Sequence, residues 1–199
     1  MQNKIQHVAI AIFSTLSFTG CLADETVSDS EQAIETTRAS AEQTPEQRDV
    51  SNRIKAAAAG NFHQIVNLAF NNQCIDAPNG TLNVVLKLTT CNSNSDSQKW
   101  SFVAASAPNT FFLVNKRSGF CAEVNNGTST PGELVDQFHC NGTQSEQWVQ
   151  SFRVVDGVSY QQYTHAGTSL CLDTVGSAGS QLMQFNCGAS NDAQTWLVR

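Results

Sequence analysis

An all-β domain of three homologous lobes is the fold this chain predicts, and three observations carry that expectation. Trp100, Trp148 and Trp196 stand 48 residues apart and then 48 again. Each closes a block of one plan: Cys74-Ile75-Asp76, Cys91 and Gln98-Lys99-Trp100; then Cys121-Ala122-Glu123, Cys140 and Glu146-Gln147-Trp148; then Cys171-Leu172-Asp173, Cys187 and Gln194-Thr195-Trp196. Residues 61–199 show no sustained helical period, only short apolar runs between turn signals. A fixed period of this length means one structural unit used repeatedly. No polar capping unit follows the third copy, so a closed threefold assembly is expected rather than an open solenoid.

Within each block the strands and turns can be placed. Asn79-Gly80 and Asn126-Gly127 follow the first two Cys-x-acid triplets and supply the positive φ angles of a tight hairpin. Gly176-Ser177 stands at that offset in the third block. The runs Val84 to Leu88, Leu134 to Phe138 and Leu182 to Phe185 read as the returning strands. The tryptophans bury large surfaces and are chiefly core. The Gln two residues before each is expected to satisfy backbone groups at the lobe junctions.

Seven cysteines are present, and six of them fall in the blocks, two per block. Equivalent units should close equivalent loops, which selects Cys74–Cys91, Cys121–Cys140 and Cys171–Cys187 among the pairings that six cysteines permit. Each closure contributes roughly 3 kcal/mol in the chain-entropy model.

The first sixty residues differ in kind. Lys4 precedes an apolar stretch from Val8 to Phe18 that is too short to span a bilayer and reads as a signal-peptide core. Phe18-Thr19-Gly20-Cys21 resembles the lipobox of bacterial lipoproteins, which implies cleavage after residue 20 and a lipid anchor on Cys21. Leu22 after the Cys, rather than Asp, points to the outer membrane or cell surface of a Gram-negative bacterium. Residues 22–58 have no Cys and no aromatic residue. The expected organisation is a signal at 1–20, a disordered, flexible tether over 21–59 and a folded domain over 60–199. Such a tether gives a reach of roughly 30–35 Å. Its stretch Glu46 to Ala59 has the composition of a short helix.

Charged residues make up 14% of the chain, and the net charge is −6. The repeat region has no basic stripe to neutralise phosphates, so nucleic acid is not an expected partner. No pair of the four histidines has metal-ligand spacing, and no nucleophile elbow appears. No cofactor and no enzymatic activity are expected.

Three copies of Cys-x-Asp, Cys and Gln-x-Trp, the middle one departing with Glu123 for Asp and Glu146 for Gln, resemble the ricin B-type lectin family, over about 139 of the 199 residues. The resemblance implies a β-trefoil: twelve strands, four per lobe, in a six-stranded barrel capped by three hairpins. It also implies one shallow sugar pocket per lobe. The acid after the first Cys takes hydroxyls, an aromatic residue two before the second Cys stacks on the sugar, and polar side chains complete the grip. In the third lobe these are Asp173, Phe185 and Asn191, with Asp192 nearby and Ala193 where Asn is usual. In the second they are Glu123, Phe138 and Asn141, with Asp136, His139 and Ser145 close by. In the first they are Asp76 and Asn92, but Thr89 replaces the aromatic residue. The expected order of sugar binding is third, second, first, the first being silent. The implied partners are glycans, with galactose- or xylose-like sugars compatible, and the membrane through Cys21. The rival readings are a protein-binding or structural lipoprotein with decayed sugar sites, and a toxin delivery subunit.

Overall fold

The computed structural model describes residues 42–199, so the proposed signal, Cys21 and the tether up to residue 41 lie outside the described residues. The stretch of the expected tether that is described holds a helix. Helix α1, Pro45–Ala57, starts with a capping box in which the Thr44 hydroxyl accepts from the Gln47 N–H and the Gln47 side chain accepts from the Thr44 N–H. Pro45 occupies the first turn, where its missing N–H costs nothing. Ile54 and Ala58 are buried and pack with Val103, Phe112, Val114 and the Cys121–Cys140 bridge. Burying Ile54 contributes about 2 kcal/mol. The helix is therefore docked on the second lobe.

Thirteen strands follow. The first lobe has β1 (Ile65–Asn67), β2 (Gln73–Asp76), β3 (Val84–Val85), β4 (Lys87–Thr90) and β5 (Trp100–Ala104). The second has β6 (Thr110–Asn115), β7 (Cys121–Val124), β8 (Val135–Phe138) and β9 (Gln147–Val155). The third has β10 (Val158–His165), β11 (Cys171–Thr174), β12 (Leu182–Phe185) and β13 (Trp196–Val198). The count exceeds the expected twelve because Leu86 interrupts one strand of the first lobe and divides it into β3 and β4.

Six strands form the barrel, with neighbours β5-β6-β9-β10-β13-β1. The ring closes where His63 and Trp100 exchange backbone hydrogen bonds at 2.9 and 2.8 Å. The hairpins β2–β4, β7–β8 and β11–β12 cap one end. Each touches the next, through Val84 with Gln137, Leu134 with Met183 and Lys87 with Gln181. The fold is a β-trefoil. Its core holds the three tryptophans, all fully buried, with Ile65, Ile75, Leu86, Leu88, Leu113, Tyr163, Leu172 and Leu182.

The three disulfides pair Cys74 with Cys91, Cys121 with Cys140 and Cys171 with Cys187. Two expectations about turns need correction. Asn79-Gly80 and Asn126-Gly127 do have positive φ, yet they form 3₁₀ turns inside longer loops rather than two-residue hairpins. Those loops must reach the neighbouring hairpins of the cap, which a tight turn would prevent. In the third lobe the positive φ is at Gly179, not at Gly176-Ser177.

Candidate functional site

The same construction recurs under each hairpin. Residues directly paired across an antiparallel ladder put their side chains on one face. The acid and the residue two before the second Cys therefore share a face in every lobe. Cys74 pairs with Thr89 and Asp76 with Lys87; Cys121 with Phe138 and Glu123 with Asp136; Cys171 with Phe185 and Asp173 with Met183. The repeat tryptophan braces this face from below. Trp100 Nε1 donates to the Ile75 carbonyl and Trp148 Nε1 to the Ala122 carbonyl, both at 3.0 Å. In each case the acceptor is the middle residue of the Cys-x-acid triplet. Trp196 Nε1 makes no hydrogen bond.

The Gln two residues before Trp100 and before Trp196 acts within its own lobe and not at the lobe junction, contrary to expectation. Gln194 Oε1 accepts from the Gly188 N–H at 2.8 Å, and its Nε2 donates to Asn186 O at 2.8 Å and Asp173 Oδ2 at 2.7 Å. Gln98 Oε1 accepts from the Asn92 N–H at 2.7 Å, and its Nε2 donates to Thr90 O, Thr89 Oγ1 and Asp76 Oδ2 at 3.0, 2.7 and 3.4 Å. The amide thus pins the loop after the second Cys and fixes the acid at the same time.

The junctions are held by other residues. Asn67 Nδ2 donates to Ala193 O, Asn115 Nδ2 to Ser97 O, and His165 Nε2 lies 3.0 Å from Gln144 O. Each ties the start of one lobe to the turn preceding the Trp of the lobe before it. Gln137 and Gln184 reach out at the cap, to Thr81 O and to Thr128 O and Thr130 O. None of these was singled out from the sequence. The signal was present, since Asn67 and Asn115 are 48 residues apart and Gln137 and Gln184 both stand three before a repeat Cys.

The three faces differ in what the acid does. In the third lobe Asp173 is buried, with Oδ2 bound by Gln194 and Oδ1 near its neighbour's N–H, that of Thr174, at 2.6 Å. Burial raises its pKa against these two hydrogen bonds. Phe185, on the same face, is 43% exposed. Asn191 Oδ1 is used to cap the Ala193 N–H, and Asp192 is engaged by Arg153 at 2.8 Å. In the second lobe Ser145 donates to Glu123 Oε2 at 3.3 Å, Asn141 Oδ1 accepts from the Thr143 N–H, and Phe138 lies edge-on to His139. In the first lobe Thr89 donates its hydroxyl to Asp76 Oδ2 at 2.7 Å, and Asn92 Oδ1 accepts from the Asn94 N–H. The residue in the aromatic position thus engages one oxygen of the carboxylate, while Asp76 Oδ1 makes no hydrogen bond. Among the described residues no group of His, Cys, Asp and Glu is arranged to hold a metal ion.

A six-stranded barrel capped by three hairpins, each carrying an acid on the same face, defines a β-trefoil of three equivalent lobes. Residues 109–199 match the ricin-type β-trefoil lectin domain, and the chain carries a ricin B-type β-trefoil domain. No curated protein matches the chain. Among solved structures it is similar to the designed threefold-symmetric protein ThreeFoil, at 22% identity and a TM-score of 0.62, covering 69% of this chain and 96% of that one. The Polyporus squamosus lectin, solved with a human-type influenza-binding epitope, is 13% identical with a TM-score of 0.58, covering 69% of this chain. A mosquitocidal holotoxin is 16% identical with a TM-score of 0.62, covering 71% of this chain. The chain spans 48% of the length of the Polyporus lectin and 17% of the holotoxin, and at these identities the likeness is one of fold.

Proposed function

We propose that the domain binds glycans without catalysis, and that the third lobe is its principal site. The observation that carries this reading is the pairing of Asp173 with Phe185. A buried carboxylate held by Gln194 lies on the same hairpin face as an aromatic ring left 43% exposed. A carboxylate takes sugar hydroxyls in charge-assisted bonds, and an aromatic face takes the apolar side of the ring. Neutral, hydroxyl-rich sugars of the galactose or xylose kind suit this chemistry. The family match and the sugar-bound Polyporus lectin support the same reading. The second lobe, with Glu123, Phe138 and Asn141, is the subsidiary site, and the first is silent because Thr89 stands in place of the stacking aromatic residue and donates to Asp76 Oδ2.

One shallow site of this kind binds weakly, with a dissociation constant of about 1 mM, equivalent to about −4 kcal/mol. Anchoring through Cys21 in an outer membrane would multiply that by presenting many copies to a polyvalent glycan. A second reading, a protein-contact module, is favoured by one feature. The β9–β10 hairpin exposes Phe152 at 64% and Val154 at 70%, far from any hairpin acid in sequence.

The test is an amide-shift titration of the full chain with D-galactose and D-xylose. Shifts at Asp173 and Phe185 that vanish in Asp173→Ala, and persist in Asp76→Ala, are expected. Shifts unaffected by Asp173→Ala, or no shifts with either sugar and no signal on a glycan array, would sink the lectin reading.

A further inference from the structure

The second lobe carries Glu146 where the other two carry Gln98 and Gln194. We propose that Glu146 is the positioning residue of the second-lobe pocket and acts in its protonated form. Its carboxylic O–H does for Glu123 what the two glutamine amides do for Asp76 and Asp173. The inference rests on the sugar-binding reading only for its consequence on ligand.

The geometry starts from the threefold equivalence. Glu146 is fully buried, and its oxygens accept from the Asn141 N–H at 2.9 and 3.0 Å and the Gly142 N–H at 2.9 Å. This reproduces the acceptor half of the glutamine role, in which Gln98 and Gln194 receive the N–H groups of Asn92 and Gly188. The donor half is where the lobes part. Gln194 Nε2 and Gln98 Nε2 give hydrogens to the lobe's acid and to the carbonyl before the second Cys. An ionised Glu has no hydrogen to give, whereas a carboxylic acid has one. With Glu146 ionised, a second buried negative charge would act on Glu123, which is itself buried and paired across the ladder with buried Asp136.

The groups packed around Glu146 set the balance of charge. β7 brings Glu123, whose partner across the ladder is Asp136 of β8. β10 brings His165, whose Nε2 lies 3.0 Å from the carbonyl of Gln144, the first residue of the turn that holds Glu146. α1 brings Lys55, whose ammonium lies 5.4 Å over the Phe120 ring and acts on His139. The turn Asn125–Gly127 brings no ionisable residue. Burial is the first cause that pushes the Glu146 carboxyl up to about 8, opposed by the Asn141 and Gly142 N–H groups and reinforced by the charge of Glu123. The pocket is then set at neutral and acidic pH and loses its orienting proton in alkali.

The experiment is a pH titration of the full chain by side-chain carboxyl NMR, with wild type and Glu146→Gln compared. D-galactose is the probe, read at the Asn141 and Gly142 amides. In wild type the Glu146 resonance should titrate near 8, and galactose affinity at these amides should fall about fivefold or more between about pH 6 and pH 9.5. Glu146→Gln supplies the amide permanently, so its galactose affinity should match neutral wild type and stay flat with pH. Titration of Glu146 in the ordinary carboxylate range overturns the proposal. So does a Gln variant that loses galactose at every pH, or a wild type whose affinity is as flat as the variant's. Titration near 8 with no galactose shifts in either protein sinks the sugar-binding reading of this lobe while the proton assignment stands.

Discussion

The first and third lobes share a backbone plan, a disulfide, a buried Trp and a Gln that grips an Asp, yet they spend that Asp differently. In the first, Thr89 donates to Asp76 at 2.7 Å and also receives the Gln98 amide, so acid, hydroxyl and amide close a ring of their own. In the third, Phe185 has nothing to donate, and Asp173 takes the Gln194 amide on Oδ2 and the Thr174 N–H on Oδ1 beside a ring that is 43% exposed. The framework residues build the hairpin and hold the carboxylate. One side chain, two before the second Cys, decides whether the carboxylate takes a side-chain hydroxyl from its own hairpin.

The largest effect separating these lobes should come from their tryptophans. Trp100→Ala and Trp196→Ala should each cost about 3–5 kcal/mol, as expected for emptying a packed aromatic site. Phenylalanine should split them. Trp100→Phe leaves the Ile75 carbonyl without its donor, an added cost of about 1–3 kcal/mol, whereas Trp196 Nε1 has no hydrogen bond to lose. Urea unfolding of the two Phe variants measures the difference. Equal losses would mean that the carbonyl contact does not brace the first hairpin.

The repeat made the fold legible. The tryptophan spacing and paired cysteines fixed three lobes, and the structure has the disulfides within them. The acids and Phe185 were also readable, because each holds a fixed offset from a Cys. What escaped was pairwise geometry. That Thr89 turns on Asp76, or that Gln98 faces its own loop rather than a junction, depends on cross-strand register, and spacing along the chain does not state it. The helix itself was legible in composition, but its docking on the domain escaped for another reason. Residues 45–58 are mostly polar and charged, and the apolar positions Val50, Ile54 and Ala58 acquire meaning only against the apolar outer face of the domain.

A smaller effect distinguishes the lobe junctions by pH. Asn67 and Asn115 hold two of them, and His165 holds the third. Burial is the first cause that keeps the His165 pKa below its ordinary 6.5. A lowered folded-state pKa means that the unfolded chain takes the proton first, so this contribution is present above about pH 6.5 and is lost as pH falls. Glu146 has the opposite sign: its pKa is raised from 4.5 to about 8, so its contribution is present at low pH and lost as pH rises through that window. Thermal unfolding from about pH 5 to pH 9 should show His165→Asn flattening the acid limb and Glu146→Gln flattening the alkaline limb. Identical pH profiles for wild type and His165→Asn would mean that the imidazole takes its proton equally readily in the folded and unfolded states.

The smallest expected effect is the most direct test of the lobe comparison. Thr89→Phe removes the hydroxyl that Asp76 now holds and places an aromatic ring on the face where Phe185 stands in the third lobe. Thr89 is half-buried at the rim of a hairpin, so the exchange should change stability by no more than about 1 kcal/mol. Gln98 would keep the Thr90 carbonyl and Asp76 as acceptors, which preserves the loop. If the Cys-minus-two residue sets whether a lobe takes a sugar, D-galactose should then shift the Asn92 and Asp76 amides, at an affinity of the same about 1 mM order as the third lobe. A folded Thr89→Phe protein whose first-lobe amides ignore galactose would place the difference in Lys87, which pairs with Asp76 where Met183 pairs with Asp173. The double variant Thr89→Phe, Lys87→Met would then be the one to show the shift.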